Sequence, residues 1–221
     1  MCKRPSISVI HPSFKRLDMF RRTYSLWMGT SEYPEAIEYI LVVEDRDPDM
    51  FKYLESFTSL LGNKAKYVAG DFRCIVASVN RGCEHATGEI IMFVGDDHLP
   101  CPHWDTKIRE ALEGKEQAML WVDEGADNDF ITMPIMTRAR YEHEGFMCYP
   151  EYKSMCADLD YTRCAELDGV IVKAKHIKLL HDHKGQESDE TYRHTASEEF
   201  SRIGREVYEK RKENNFGRPR R

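Results

Sequence analysis

The chain has 221 residues, 41% of them hydrophobic and 32% charged, with a formal net charge of −6. This length and balance suit one large α/β domain or two small ones, and exclude a disordered or collagen-like chain. The negative charge argues against nucleic acid or an anionic membrane as a partner; the basic end around Lys210, Arg211, Lys212 and Arg218 reads as a solvated helix and a frayed terminus.

In chain order, Ile7-Ser8-Val9-Ile10 is a short β-rich run that ends at Pro12. Phe14, Leu17, Phe20, Tyr24 and Trp27 recur at helical spacing and predict an amphipathic helix over 14–28. Residues 39–43 form a continuous apolar run, as a strand buried on both faces of a parallel sheet does. A helix is predicted over 49–61, capped by Asp49 and stopped at Gly62-Asn63. A weaker strand over 65–69, a helix over 76–85 and a buried strand over 90–94 follow. Strands alternating with helices in this way predict βαβ units.

The second half is less regular. It reads as a helix over 104–112, a strand over 118–122, a polar turn over 124–129 and a strand over 130–136. An aromatic loop over 141–152, a helix over 157–167 and an extended stretch over 170–172 come next. Residues 181–195 are polar and aperiodic, long for a passive connection, as lids and binding loops are. Seven scattered cysteines without a Cys-x-x-Cys pair read as free thiols in a reducing compartment. No run reaches the ~18 apolar residues that span a bilayer, and no signal-peptide core follows Met1. The expectation is a cytoplasmic protein with no transmembrane segment.

The sharpest chemical signal is Gly95-Asp96-Asp97-His98, directly after the apolar strand Ile90 to Val94. Ligands bind at the carboxyl ends of strands in open α/β sheets. Adjacent carboxylates repel unless water or a cation compensates them, and their oxygens suit Mg²⁺ or Mn²⁺. The ordinary alternative is a solvated turn. Upstream stand Asn80-Arg81-Gly82, Ala86-Thr87-Gly88-Glu89 and the strand itself. With Ile7 to Arg16 as opening strand and loop, and a second strand ending in Glu44-Asp45, residues 7–165 resemble the inverting glycosyltransferases of family 2.

The resemblance implies a GT-A fold: a Rossmann-like α/β domain with a mixed, mainly parallel sheet flanked by helices. It divides the single domain into a nucleotide-sugar half over about 1–100, an acceptor-side half with a closing loop over about 101–195, and a C-terminal helix and basic tail over 196–221. It implies a UDP- or GDP-sugar donor, a carbohydrate or other hydroxyl acceptor, and Mn²⁺ or Mg²⁺. Pro12 and Phe14 would line the base pocket, with Arg16 in the same nucleotide loop. Glu44 or Asp45 would bond the base or ribose, and Arg81 would stand near the base or diphosphate. Asp96 would reach the ribose or a metal-bound water, and Asp97 the metal. Gly95 stands where many members carry another acid, which leaves the direct ligand open between the two carboxylates.

Asp158 in Ala157-Asp158-Leu159-Asp160 matches the family's acceptor-side acid and is the candidate general base, with Asp160 as second choice. Its ordinary alternative is a helix cap. His181 or His183 would complete the metal shell, and Arg193 would contact phosphate in a loop closing over the donor. By itself Phe14 also fits core packing, Arg81 a surface arginine, and Trp104, Trp121, Tyr149 and Tyr152 either core or a sugar platform. A nucleotidyltransferase shares the βαβ start, but no glycine follows the first strand to hold a triphosphate. A catalytically inactive relative would carry the same residues.

Overall fold

The computed structural model describes residues 4–61, 65–182 and 190–219. Its centre is an eight-stranded sheet of order β3-β2-β1-β4-β7-β6-β8-β5. β1 (Ile7–Ser13), β2 (Ile37–Glu44), β3 (Ala65–Gly70) and β4 (Ile90–Phe93) run parallel through the pairings β1/β2, β2/β3 and β1/β4. β5 (His98–Pro100), β6 (Met119–Asp123), β7 (Ile135–Thr137) and β8 (Ile171–His181) make the rest. β6/β8 is parallel, and β4/β7, β6/β7 and β5/β8 are antiparallel. The sheet is therefore mixed and mainly parallel, in one domain.

The apolar strands are buried on both sides because successive residues face opposite ways. Leu41 and Val43 pack with Phe20 and Trp27 of α1 (Leu17–Thr30) and Trp104 of α4 (Trp104–Leu112). Ile40 and Val42 pack on the other face with Val76, Val79 and Cys83 of α3 (Ile75–Glu84). At Gly82 the fit is close: a Cβ there would meet Ile10 Cγ2 at 2.5 Å and Val42 Cγ2 at 2.7 Å. Gly82→Ala is expected to lower stability by about 1–3 kcal/mol through overpacking, read as a lower urea midpoint with unchanged slope.

Several boundaries differ from expectation, each for a local reason. α1 begins at Leu17, because Lys15 turns through a positive φ of 54° and donates its N–H to Asp47 Oδ2 at 2.6 Å. α2 (Pro48–Leu61) takes its side-chain cap from Asp47, which accepts Met50 N–H at 3.1 Å, and not from Asp49. The predicted stop at Gly62-Asn63 lies outside the described residues. The strand expected over 130–136 shrinks to β7, since side chains of Thr162 and Glu124 take the N–H groups of Ile131, Thr132 and Met133. The aromatic stretch opens with α5 (Arg138–Glu144), capped by Thr137 and stopped at Gly145 with φ 80°. β8 is eleven residues long, where only 170–172 was expected to be extended.

The C-terminal helix α8 (Glu198–Glu213) is present, and the basic end is partly built into the fold. Arg211 pairs with Asp160, and Arg218 with Asp168 and Glu144. The six described cysteines are free. No described helix is long and apolar enough to cross a membrane.

Candidate active site

A cleft of about 600 Å³ opens where β1, β2 and β4 end, lined among others by Pro12, Phe14, Arg16, Glu44, Asp96, Asp97 and His181. The turn after β4 aims its two carboxylates in different directions. Asp96 is buried, with Oδ1 2.9 Å from His11 Nε2 and Oδ2 accepting the Ser13 hydroxyl at 3.1 Å. Arg16 stands 4.0 Å from the same carboxylate. Asp97 turns the other way, its Oδ2 3.1 Å from His181 Nε2.

The β5/β8 ladder makes this meeting, since it sets His98 opposite His181 and extends to the bond from Asp182 N–H to Asp97 O at 2.9 Å. Gly95 explains the departure from the family pattern. A Cβ at that position would lie 2.8 Å from Asp97 Oδ1, so a larger residue would push the carboxylate aside. Gly95 instead donates its N–H to His98 Nδ1 at 2.8 Å, and the rings of His98 and His181 pack edge to face at 4.3 Å.

Ligand atoms of Asp97, His98 and His181 lie within 4.8 Å of one another, the spacing of a cation site. His98 already accepts through Nδ1, which leaves Asp97 and His181 as the better-suited pair. A carboxylate with an imidazole fits Mn²⁺ more closely than Mg²⁺, which prefers oxygen and water alone. His183, the other expected ligand, lies outside the described residues. A second cluster of His143, Glu144 and Asp168 fits a cation poorly, because Arg140 and Arg218 already neutralise its acids.

Another part of the cleft lining is aromatic and cationic. The Phe14 ring is half-buried in the loop after β1, with Lys15 Nζ 5.3 Å and the Arg46 guanidinium 5.2 Å from its centre. Arg46 bonds Glu44 at 2.9 Å and stands 3.6 Å from Asp71. Lys15, Arg46 and Arg73 line the cleft, and none of them was singled out from the sequence. With Arg16 they gather four cationic side chains from the first half of the chain around the cleft.

Three expected donor-side residues stand elsewhere. Asp45 is exposed, and its N–H is spent on Gly70 O at 3.1 Å. Arg81 pairs with Glu84 on the exposed side of α3. Arg193 is exposed and does not line the cleft. Its helix α7 (Glu190–Thr195) does cover the cleft, through Thr191, Tyr192 and His194. Thr191 donates to Phe14 O at 3.0 Å, and His194 Nε2 is 3.3 Å from Arg73 O. The expected aperiodic loop is thus the end of β8, a helix, and residues 183–189 outside the description.

Of the two acceptor-side acids, Asp160 is committed to the fold. Arg211 donates to both its oxygens, at 2.8 and 3.1 Å, and Tyr152 donates at 3.1 Å. A carboxylate whose oxygens are both engaged by a guanidinium and a phenol is an anchor of the fold, and its catalytic reading is withdrawn. Asp158 sits in the first turn of α6 (Ala157–Asp168), just past the cleft-lining Ser154 and Met155, and is not itself a lining residue. Burial raises its carboxyl above the ordinary range; the Leu159 N–H opposes this and Glu124 adds to it. Trp104, Trp121 and Tyr152 are core residues, and Tyr149 is stacked under Arg211 at 4.0 Å. An aromatic acceptor platform of these residues is not formed.

Residues 8–159 match the family model described as glycosyl transferase family 2. A search of curated proteins found no match. Among solved structures, S. aureus TarS 1-349 in complex with UDP-GlcNAc is similar at a TM-score of 0.68 and 14% identity, over 91% of this chain and 65% of that one. The mannosyltransferase PcManGT from Pyrobaculum calidifontis, in complex with GDP-Man and Mn²⁺, is similar at 0.64 and 14% identity, over 83% and 59%. The chain therefore spans about three-fifths of these two solved chains, and 36% of a longer solved TarS chain, and at such identity the likeness is one of fold.

Proposed function

The chain belongs to glycosyl transferase family 2, and on that premise we propose that it moves a glycosyl group from a UDP- or GDP-sugar to an acceptor hydroxyl, with inversion. The observation that carries the reading is the cleft itself, lined both by an aromatic, cationic group around Phe14 and by an oxygen–nitrogen pair, Asp97 and His181. The ligands seen with PcManGT and TarS support donors of this class.

In this reading Phe14 stacks on the base, while Glu44 accepts from base or ribose and Asp96 from a ribose hydroxyl. Arg16, Lys15, Arg46 and Arg73 offset the charge of the diphosphate, most of all as it leaves. Asp97 and His181 hold Mn²⁺ or Mg²⁺, which when bound neutralises the leaving diphosphate. Asp158 takes the proton as the acceptor oxygen attacks the anomeric carbon and the bond to diphosphate breaks. The α7 cover limits the entry of water, which would otherwise hydrolyse the donor.

A panel of UDP- and GDP-sugars with Mn²⁺ tests the assignment without knowledge of the acceptor, since transferases of this kind hydrolyse their donors slowly. One nucleotide class should release its nucleoside diphosphate, UDP or GDP, in a metal-dependent way. Release from neither class, with no binding of either nucleotide, would remove the reading.

A further inference from the structure

We propose that Tyr39 and His11 are positioning residues, a buried relay that anchors the Asp96 carboxylate on the donor side of the cleft and keeps it away from the Asp97–His181 pair. The proposal rests on the donor reading above and assigns a job to two residues that reading does not use. Tyr39 Oη lies 2.6 Å from His11 Nδ1, and His11 Nε2 lies 2.9 Å from Asp96 Oδ1. The three residues are 2%, 0% and 6% exposed, so water does not compete for these bonds.

The direction of the relay follows from donor and acceptor rules. A carboxylate only accepts, so His11 Nε2 carries the hydrogen that faces it. In the neutral ring Nδ1 is then a lone pair, and the Tyr39 hydroxyl donates to it. Burial, and next the charge of Asp96, hold that phenol well above its ordinary range, so it keeps its proton. The Phe20 ring packs against that of His11 at 62°, with the ring centroids 5.1 Å apart, and limits rotation of the imidazole. The Ser13 hydroxyl donates to Asp96 Oδ2 and the Thr23 hydroxyl donates to Asp96 O at 2.5 Å, so side chain and backbone are both pinned.

A histidine in this place has no packing reason. Its β1 neighbours Val9 and Ile10 are apolar and fully buried, and an imidazole there costs desolvation unless both nitrogens are bonded. Its consequence concerns the adjacent acid. Two neighbouring carboxylates would both turn toward a cation; with Asp96 tethered, only Asp97 does. The lone pairs that Asp96 keeps on its cleft side are then fixed for a donor hydroxyl.

Calorimetry on the full chain tests this, with Mn²⁺ alone and with UDP or GDP at saturating Mn²⁺. Tyr39→Phe should weaken nucleotide binding about threefold, and His11→Leu about tenfold or more. His11→Gln, whose amide can donate to Asp96 and accept from Tyr39, should recover most of the loss. Mn²⁺ alone should bind each variant as well as wild type, or better, because a released Asp96 adds an oxygen ligand. Parallel loss of metal and nucleotide binding would mark general damage and overturn the proposal. Nucleotide binding that survives all three substitutions overturns the relay alone, whereas wild-type protein binding neither nucleotide overturns the functional reading and the relay with it.

Discussion

Asp97→Ala is expected to abolish the Mn²⁺ dependence of nucleoside-diphosphate binding and to lower turnover by roughly 10² to 10³. Asp97 is the one carboxylate of the pair that is turned toward His181, while Asp96 is held by His11 and Ser13. The fold should tolerate the change. The Asp97–His181 pair is partly exposed, and such pairs contribute about 0–1 kcal/mol. Losing one of two adjacent negative charges also relieves repulsion. Calorimetry with and without Mn²⁺, beside a thermal melt, separates the two effects. Metal-dependent binding that persists in a folded mutant would move the metal elsewhere.

The second large effect separates Asp158 from Asp160. Asp158→Asn keeps the shape and removes the proton acceptor, so turnover should fall by roughly 10² or more with donor affinity little changed. Stability should hold or rise. The folded-state carboxyl is raised by burial, so its ionisation costs stability as pH rises from the ordinary carboxylate range through the raised value, and the amide removes that cost. The same shift sets the sign of the pH profile: the base works ionised, so wild-type turnover should decline as pH falls through the raised value, later removed by the substitution. Asp160→Asn should do the reverse, leaving a half-buried Arg211 short of its counter-charge and costing about 1–3 kcal/mol, with turnover per folded molecule far less affected. Thermal melts and initial rates on both variants check this. If Asp158→Asn lowers the melting temperature as much as turnover, Asp158 is a helix cap.

The contrast between these two acids shows what the sequence could convey. Strands β2 and β4 were legible because a strand buried on both faces is a nearly unbroken apolar run, β1 as a short β-rich run, and the Asp96-Asp97 turn as charge placed at the end of such a strand. β8 was not, because its open face carries Lys173, Lys175 and Lys178, which mask Ala174, Ile177 and Leu179 beneath. Asp158 and Asp160 look alike in sequence; Tyr152 and above all Arg211, 51 residues on, separate them. The same distance effect hid Arg46 and Arg73, whose place depends on where the loops after β2 and β3 turn. Asp45 and Arg81 were misplaced through neighbours: Glu44 faces the cleft where Asp45 faces solvent, and Arg81 stands beside the inward Gly82. His11 carries no local signal at all, since its partners Tyr39 and Asp96 come from β2 and from the turn after β4.

The most direct measurement is a crystal structure with Mn²⁺ and the nucleoside diphosphate that binds, using the anomalous signal of manganese to place the ion. The account predicts one peak between the Asp97 carboxylate and the His181 imidazole, with diphosphate oxygens completing the shell and the base against Phe14. A peak at His143, Glu144 and Asp168, or a nucleotide bound anywhere outside the cleft, would contradict it.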